Sequence, residues 1–582
     1  MARQLEHFDN LVQMFFARAD ERGDTPFLWA KVDKKWQSTS WTDARRKVVA
    51  LATALREMGL EPGDRVCLVS ENRPEWLISD LAIMAAGCVT VPTYTTNTTR
   101  DHAHVLGNSG ARAVIVSNQK LAATLVPAVL TSADCHHVIG ISDIRMGQSP
   151  DWVKCHSWTK LADGYGDLSA VEDRVAQMKR ADLACIIYTS GTGGAPRGVM
   201  QHHGALLHNV AGAADIISTD FGWGDEVFLS FLPASHALEH TGGQLFPIGL
   251  GAQIYYAESL EKLASNIEET RPTIMIVVPR LFEMLRTRIL KSLEGSGNVG
   301  KYLFRRAMAI GGERSRGRIR PWNLPMNAIL EHTVRKKVRA KVGGRTKAWV
   351  SGGAPLNPEV GLFFESLGIT FLQGYGQTEA APVISANRPR TGIKLETVGP
   401  PLKDTEVRIA ADGEIMVRGE LVMHGYWRNE EETRRVLSDD GWLATGDIGH
   451  FDDKGRIVIT DRKKDIIVND KGDNVAPQRI EGMLTLQPEI AQAMVYGDRR
   501  PHLVGLLVPD PEIAGKPDVR ERLSAAVDRV NRDISVIEKV RRFMIADEPF
   551  TVENEQLTPS MKIRRHVIGG VYGERLDGLF GR

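Results

Sequence analysis

A short apolar run that breaks abruptly into hydroxyls, glycines and a cation constrains this chain more than any other stretch. Leu183-Ala184-Cys185-Ile186-Ile187 reads as a buried strand, and Tyr188-Thr189-Ser190-Gly191-Thr192-Gly193-Gly194-Ala195-Pro196-Arg197-Gly198-Val199 follows it. Glycines let backbone N–H groups approach an anion closely, and hydroxyls add further donors. The arginine supplies a planar positive fork suited to phosphate. The pattern predicts a polyphosphate cradle at a strand end rather than a plain surface turn. It is not the usual P-loop, because no Gly-Lys-Ser/Thr follows the glycines. Nor is Ser190 a nucleophile elbow, because Tyr188 stands where Gly-x-Ser-x-Gly needs its first glycine.

The surroundings of the loop predict an α/β chain. Leu11, Phe15, Phe16 and Ala19 share a helical face, and a second helical pattern runs from Thr42 through Val48, Leu51, Leu55 and Met58 to Gly59. Between such patterns lie short apolar runs: Arg65–Val69, Val89–Pro92, Ala113–Val116, Glu226–Phe231, Gln253–Tyr256 and Thr273–Val278. That alternation implies a largely parallel sheet, and such sheets bind ligands at the carboxyl ends of their strands. From Ile409 the texture becomes rich in strands and turns. The charged run Asp461-Arg462-Lys463-Lys464-Asp465 suits an exposed connector. A chain of 582 residues is too long for one core. We therefore expect a large unit over 1–460 and a small α+β unit over 461–582.

Charge and cysteine usage narrow the class. The net charge of +1 gives no global attraction to polyanions, so nucleic acid is not an expected partner. Five scattered cysteines without a Cys-x-x-Cys pair read as reduced thiols of a cytoplasmic protein. No signal-like or membrane-spanning stretch is expected, since the longest apolar run is Leu81 to Ala86. Residues 291–350 stand apart, with 15 Lys+Arg against 3 Asp+Glu. Within them Leu330, Val334 and Val338 form a helical stripe flanked by Arg335, Lys336, Lys337 and Arg339. Such a helix can lie on an anionic membrane, or it can be a solvated face balanced by acids elsewhere in the fold.

Several stretches together resemble the acyl-adenylate-forming superfamily of acyl-CoA synthetases, adenylation domains and luciferases. Residues 188–198 are similar to its phosphate loop. Ser351-Gly352-Gly353-Ala354-Pro355-Leu356 and Gln373-Gly374-Tyr375-Gly376-Gln377-Thr378-Glu379 are similar to its adenine and magnesium segments. Trp442-Leu443-Ala444-Thr445-Gly446-Asp447 resembles its ribose segment, Asp461–Asp465 its hinge, and Leu557-Thr558-Pro559-Ser560-Met561-Lys562 its lysine loop. The 70-residue gap before Ser351 and the Thr-Pro-Ser-Met-Lys sequence resemble the long-chain fatty-acid branch.

The resemblance implies a fold with a large multi-subdomain α/β unit, parallel-rich sheets and a distorted β-barrel, followed by a small mobile α+β domain. It implies ATP, Mg²⁺ and coenzyme A as reactants or cofactors and a fatty acid as substrate. Thr189, Ser190, Gly191, Thr192, Gly194 and Arg197 would hold the leaving pyrophosphate. Gly353, Ala354, Gln373, Gly374 and Tyr375 would surround adenine. Asp447 would take the ribose, Arg462 the ribose or phosphate, Thr378 the α-phosphate and Glu379 the metal. Lys562 would sit between the two reacting anions, Lys464 would be the hinge, His236 would line the acyl pocket, and Gly472 would meet coenzyme A. His202 and His203 are read as loop residues without a role.

The chain departs from the family pattern at Gly193, where a second threonine is common, and at Arg197, where lysine is common. Val468 stands where many relatives carry lysine, and the glycine loop 469–473 is one residue longer. No aspartate occurs in Leu232–His236 to receive an amino acid's ammonium, which disfavours that substrate. Two rivals stay open: a fatty-acyl-AMP ligase that loads a carrier protein, and a non-catalytic nucleotide- or acyl-binding protein at a membrane. Oligomeric state is not legible.

Overall fold

The computed structural model describes residues 4–581 apart from 146–149, 190–195, 296, 316, 318, 355, 472 and 559–561. Its valine- and isoleucine-rich runs become strands, and their order fixes where a ligand can sit. A seven-stranded sheet runs Lys154–Ser157, His137–Gly140, Ala113–Val116, Arg65–Val69, Val89–Pro92, Leu183–Thr189, Arg197–His202. All neighbours are parallel except the last pair. In that antiparallel pair Thr189 and Arg197 are register partners, so the two strand ends that flank residues 190–195 are held side by side.

The second sheet has eight strands, in the order Val383–Ala386, Phe371–Gly376, Ala348–Ser351, Ile274–Val277, Val227–Ser230, Gln253–Tyr256, Pro26–Val32, Lys35–Ser40. Its six inner strands are parallel, and each edge strand is antiparallel to its neighbour. Helices cover the sheets with the faces their periodicity demands. Trp41–Glu57 buries Val48, Leu51 and Leu55, and Ser40 caps it by accepting from the Asp43 backbone N–H at 3.1 Å. Each such large side chain contributes roughly 1.5–3 kcal/mol on burial. A four-stranded antiparallel sheet, Glu406–Ile409, Glu414–Arg418, Leu443–Phe451, Ile457–Arg462, occupies the strand-rich region after Ile409.

Beyond Asp461 lie a two-stranded ribbon and a three-stranded sheet, Ile490–Tyr496, Leu503–Pro509, Val540–Ile545. The period-2 alternation of its central strand builds two cores. Leu503 and Leu507 join Leu523, Val527 and Ile480 on one face, while Val504, Leu506 and Val508 join Ile568 and Tyr572 on the other.

The basic 291–350 segment folds as Asn298–Ser315, Leu324–Leu330, a π-turn Glu331–Arg335 and Lys336–Lys341. Its stripe does not face outward. Leu330 is fully buried with Ala307 and Ile310, and Val334 and Val338 pack on protein cores. Arg335, expected on the exposed flank, is 1% exposed and donates to the Ser366 carbonyl at 2.9 Å and to Asn327 Oδ1 at 2.7 Å. A stripe that already covers a core has no apolar face left for a bilayer. The histidines next to the phosphate strand are not loop residues either. His202 caps the helix His203–Asp220, and His203 is 1% exposed. No helix among the described residues is long and apolar enough to cross a membrane.

Candidate active site

Two antiparallel strands begin the site. Leu443–Phe451 and Ile457–Arg462 pair so that Asp447 and Arg462 are register partners. Arg462 Nε donates to Asp447 Oδ1 at 3.2 Å, and the Tyr375 hydroxyl donates to Asp447 Oδ2 at 2.8 Å. Each carboxylate oxygen thus receives one bond and keeps a lone pair, as a vicinal diol would need. Tyr375 is 7% exposed, so this hydrogen bond, more than an open ring face, defines its place in the site. Burial, reinforced by the Asp447 charge, raises its pKa well above the usual tyrosine range.

Tyr375 lies on Phe371–Gly376, between Gln373 and a tightly packed glycine. A Cβ at Gly376 would stand 1.7 Å from the Pro382 carbonyl oxygen, so only glycine lets this strand end turn toward Thr378 and Glu379. Gln373 and Ser351 are register partners on adjacent strands, and each leaves a side-chain oxygen buried without a hydrogen-bond partner among the described residues. Such orphans at strand carboxyl ends are what a bound polar ligand or water satisfies. Gly353 follows with φ +83°, and Ala354 is exposed beside it.

Thr378 and Glu379 occupy a 3-10 turn, Thr378–Ala380. Gln201 Nε2 holds the Thr378 carbonyl at 2.7 Å, and the Met423 N–H holds that of Glu379 at 2.9 Å. Glu379 Oε1 accepts from the Tyr426 hydroxyl at 2.8 Å. Arg197 lies over the same Tyr426 ring, 4.6 Å from its centroid, and donates to Glu432 Oε2 at 2.5 Å. The structure therefore joins the loop's cation to the Glu379 carboxylate through a tyrosine the motifs did not single out. Neither Tyr426 nor Glu432 carries a local sequence signal, because their roles come from partners far away in the chain. Thr189 ends its strand opposite Arg197, while Ser190, Gly191, Thr192 and Gly194 lie outside the described residues.

Lys562 arrives from the small C-terminal unit. Its turn is closed by Thr558 N–H to the Lys562 carbonyl at 2.8 Å and by Lys562 N–H to Thr558 Oγ1 at 3.0 Å. The residue is exposed at its surface, and the surrounding protein pushes its pKa below the ordinary lysine value. Arg462 adds to that push, and Asp447, Glu379 and Asp465 oppose it. Burial and the Lys562 charge push His236 down to about 4, leaving a neutral imidazole whose Nδ1 accepts from the Leu238 N–H at 3.2 Å. Leu238 in turn packs beside Gly352 and Gly353, so the segment expected to line an acyl pocket abuts the adenine segment.

Five of the expected residues, Tyr375, Glu379, Asp447, Arg462 and Lys562, thus converge although they span 188 positions of sequence. Lys464 is exposed in the turn after Arg462, where the Asp465 and Ile466 N–H groups bond the Arg462 carbonyl. Gly472 lies outside the described residues. Among the described residues no three metal-binding side chains cluster, so a divalent cation here would meet Glu379 rather than a protein cage. That fits Mg²⁺, which binds through one or two carboxylates and keeps waters or phosphate oxygens. Glu379 Oε2 accepts no hydrogen bond among the described residues and is available for it.

Known proteins resemble this chain along most of its length. The AMP-binding enzyme family matches residues 15–427, and the AMP-binding enzyme C-terminal domain matches 464–582. A long-chain-fatty-acid–CoA ligase of Mycobacterium tuberculosis, FadD15, is 32% identical over 99% of this chain and 98% of its own. The peroxisomal long chain acyl-CoA synthetase 7 of Arabidopsis thaliana is 31% identical over 93% of this chain and 81% of its own. Among solved structures, the A domain of a carboxylic acid reductase from Segniliparus rugosus, in complex with AMP and a co-purified carboxylic acid, superposes with a TM-score of 0.75. At 22% identity, covering 99% of this chain and 94% of that one, it speaks for the fold alone. With the family matched across most of its length and the converging residues in place, this chain belongs to the AMP-binding enzymes.

Proposed function

We propose that the protein activates a long-chain fatty acid with ATP and passes the acyl group to coenzyme A. The observation that carries this reading is the bonded set Tyr375–Asp447–Arg462 and Tyr426–Glu379, with Lys562 within electrostatic reach of Asp447, Arg462 and Glu379. The relatives named as long-chain-fatty-acid–CoA ligases support the choice of substrate and acceptor.

In the first step a carboxylate oxygen attacks the α-phosphorus of ATP, and the α–β anhydride bond breaks to release pyrophosphate. Two anions must meet, so the Lys562 ammonium offsets their repulsion and stabilises the charge that develops between them. Asp447 and Arg462 hold the ribose, Thr378 meets the α-phosphate, and Arg197 with Thr189 follows the leaving pyrophosphate. Mg²⁺ at Glu379 would neutralise part of the polyphosphate charge. In the second step the coenzyme A sulfur, having lost its proton, attacks the acyl carbon and AMP leaves. The unit 461–582 turns about Lys464 between the steps, exchanging Lys562 for the glycine loop near Gly472.

Docking to a bilayer would suit an apolar substrate. We assign it to the exposed Val299, Tyr302, Trp322, Leu324 and Ile329, beside Lys301 and Arg320, rather than to the buried stripe. Reversing Lys301 and Arg320 and replacing Trp322 with Ala should release the protein from anionic vesicles, and undiminished binding would reject the assignment.

The main test is a panel of carboxylates of graded chain length, assayed for pyrophosphate release with coenzyme A, with an acyl carrier protein, or with neither. Long-chain-dependent release and a coenzyme A thioester are expected. A product formed only on the carrier would favour the reading suggested by the Arabidopsis relative named as a long-chain-fatty-acid–[acyl-carrier-protein] ligase, which is 28% identical. Nucleotide binding without release would leave a non-catalytic protein.

A further inference from the structure

Arg197, the cation flanking the phosphate loop, is already occupied. Its Nη1 donates to Glu432 Oε2 at 2.5 Å, and its guanidinium rests on the Tyr426 ring. Both residues come from one short stretch, Tyr426 to Glu432, that the strand after the loop pins in place. Trp427 N–H bonds the Gly198 carbonyl at 2.7 Å, Met200 N–H bonds that of Gly425 at 3.0 Å, and Val199 bridges Tyr426. Glu432 itself is fixed by a helix start, its N–H donating to Asn429 Oδ1 at 3.2 Å, and its other oxygen receives Arg435. The Tyr426 hydroxyl meanwhile holds Glu379. The resting place of the phosphate-side cation and the position of the metal-side carboxylate are therefore built on one aromatic side chain.

We propose that Glu432 is a competing anion, a latch that holds Arg197 until a polyphosphate displaces it. The inference rests on the ligase reading above and adds a positioning residue to it. The Arg197 and Glu432 side chains are 25% and 26% exposed. That burial is enough to order the pair, yet leaves it open to exchange of one anion for another. A carboxylate carries one charge and pyrophosphate several, so the exchange favours ATP and pyrophosphate. AMP, which carries no β- or γ-phosphate, gains nothing from it. The latch thus raises the threshold for polyphosphate entry and aids pyrophosphate departure, since Glu432 recaptures Arg197 as the product leaves.

The test is equilibrium binding of ATP, pyrophosphate and AMP to the full chain at fixed Mg²⁺. Glu432→Gln should tighten ATP and pyrophosphate by about two- to fivefold, the range of a partly exposed ion pair, and leave AMP unchanged. Arg197→Ala should weaken both polyphosphates, and Glu432→Gln added to it should then change nothing, because the latch has lost its bolt. Higher salt should shrink the difference between wild type and Glu432→Gln. Unchanged or weaker ATP binding in Glu432→Gln overturns the latch, as does equal tightening in the Arg197→Ala background. A wild-type chain that binds AMP but not pyrophosphate overturns the latch alone. One that binds no nucleotide overturns the ligase reading and the latch with it.

Discussion

The nucleoside and phosphate sides of the proposed site are built on different principles. On the proposed nucleoside side, Asp447 and Arg462 pair on neighbouring strands and Tyr375 bonds Asp447 from another sheet, so their geometry is set before any ligand arrives. On the phosphate side, each cation is provisional. Arg197 is paired with Glu432, and Lys562 is carried on the small C-terminal unit. Recognition of a common nucleoside gains from rigidity, because ordering has been done in advance. Handling a group that must enter, react and leave gains from charges that can move.

The largest effect should come from the moving side. Lys562→Ala should slow acyl-adenylate formation about 100- to 1000-fold, as loss of one preorganised charge stabiliser does. Thioester formation from a supplied acyl-adenylate should be little changed. Single-turnover assays of each half-reaction read this out, and equal losses in both would erase the division of labour. Next is the fixed side. Asp447→Asn removes charge-assisted bonds worth about 1.5–3 kcal/mol, so AMP and ATP should both weaken by about 10- to 100-fold in a binding titration. A loss confined to ATP would place Asp447 on the wrong side of the comparison.

A smaller effect concerns pH. Desolvation by the surrounding protein lowers the Lys562 pKa, so its ammonium is lost on raising the pH earlier than that of an ordinary lysine. Acyl-adenylate formation should fall along an alkaline limb that begins below the ordinary lysine range, and Lys562→Arg, always charged, should flatten it. The smallest effect concerns a carboxyl buried in the interior, Glu239. Burial pushes Glu239 up to about 8, while Ser230 Oγ donates to it at 2.6 Å. A carboxyl with a raised folded pKa lends stability below its unfolded pKa and loses it as pH rises toward 8. Glu239→Gln should therefore raise the melting temperature at pH 8 by a few degrees and change it little at pH 5. Nucleotide affinity should stay as it was, which a calorimetric scan and one AMP titration would check.

The contrast also explains what could be read from residues alone. Short strands such as Arg65–Val69, Ala113–Val116 and Gln253–Tyr256 were legible because unbroken apolar runs between turn residues have few other uses in a parallel sheet. The helical period of Leu330, Val334 and Val338 was equally legible. The direction of that face was not, because period fixes which side chains align and says nothing about what they meet. Nothing local marks Arg335 as buried; the Ser366 carbonyl and Asn327 decide it.

By itself the sequence determined the chemistry of the loops. Glycines, hydroxyls and single charges at strand ends need a particular backbone, and that need is local. Only the tertiary structure decided which charges are free to use that chemistry. Arg197 and Glu432 are 235 residues apart, and their meeting depends on the strand Arg197–His202 pairing with the segment around Tyr426. Coulomb attraction acts over a few ångströms through space, whatever the distance along the chain. The sequence therefore names the cation, and the fold chooses the anion that holds it.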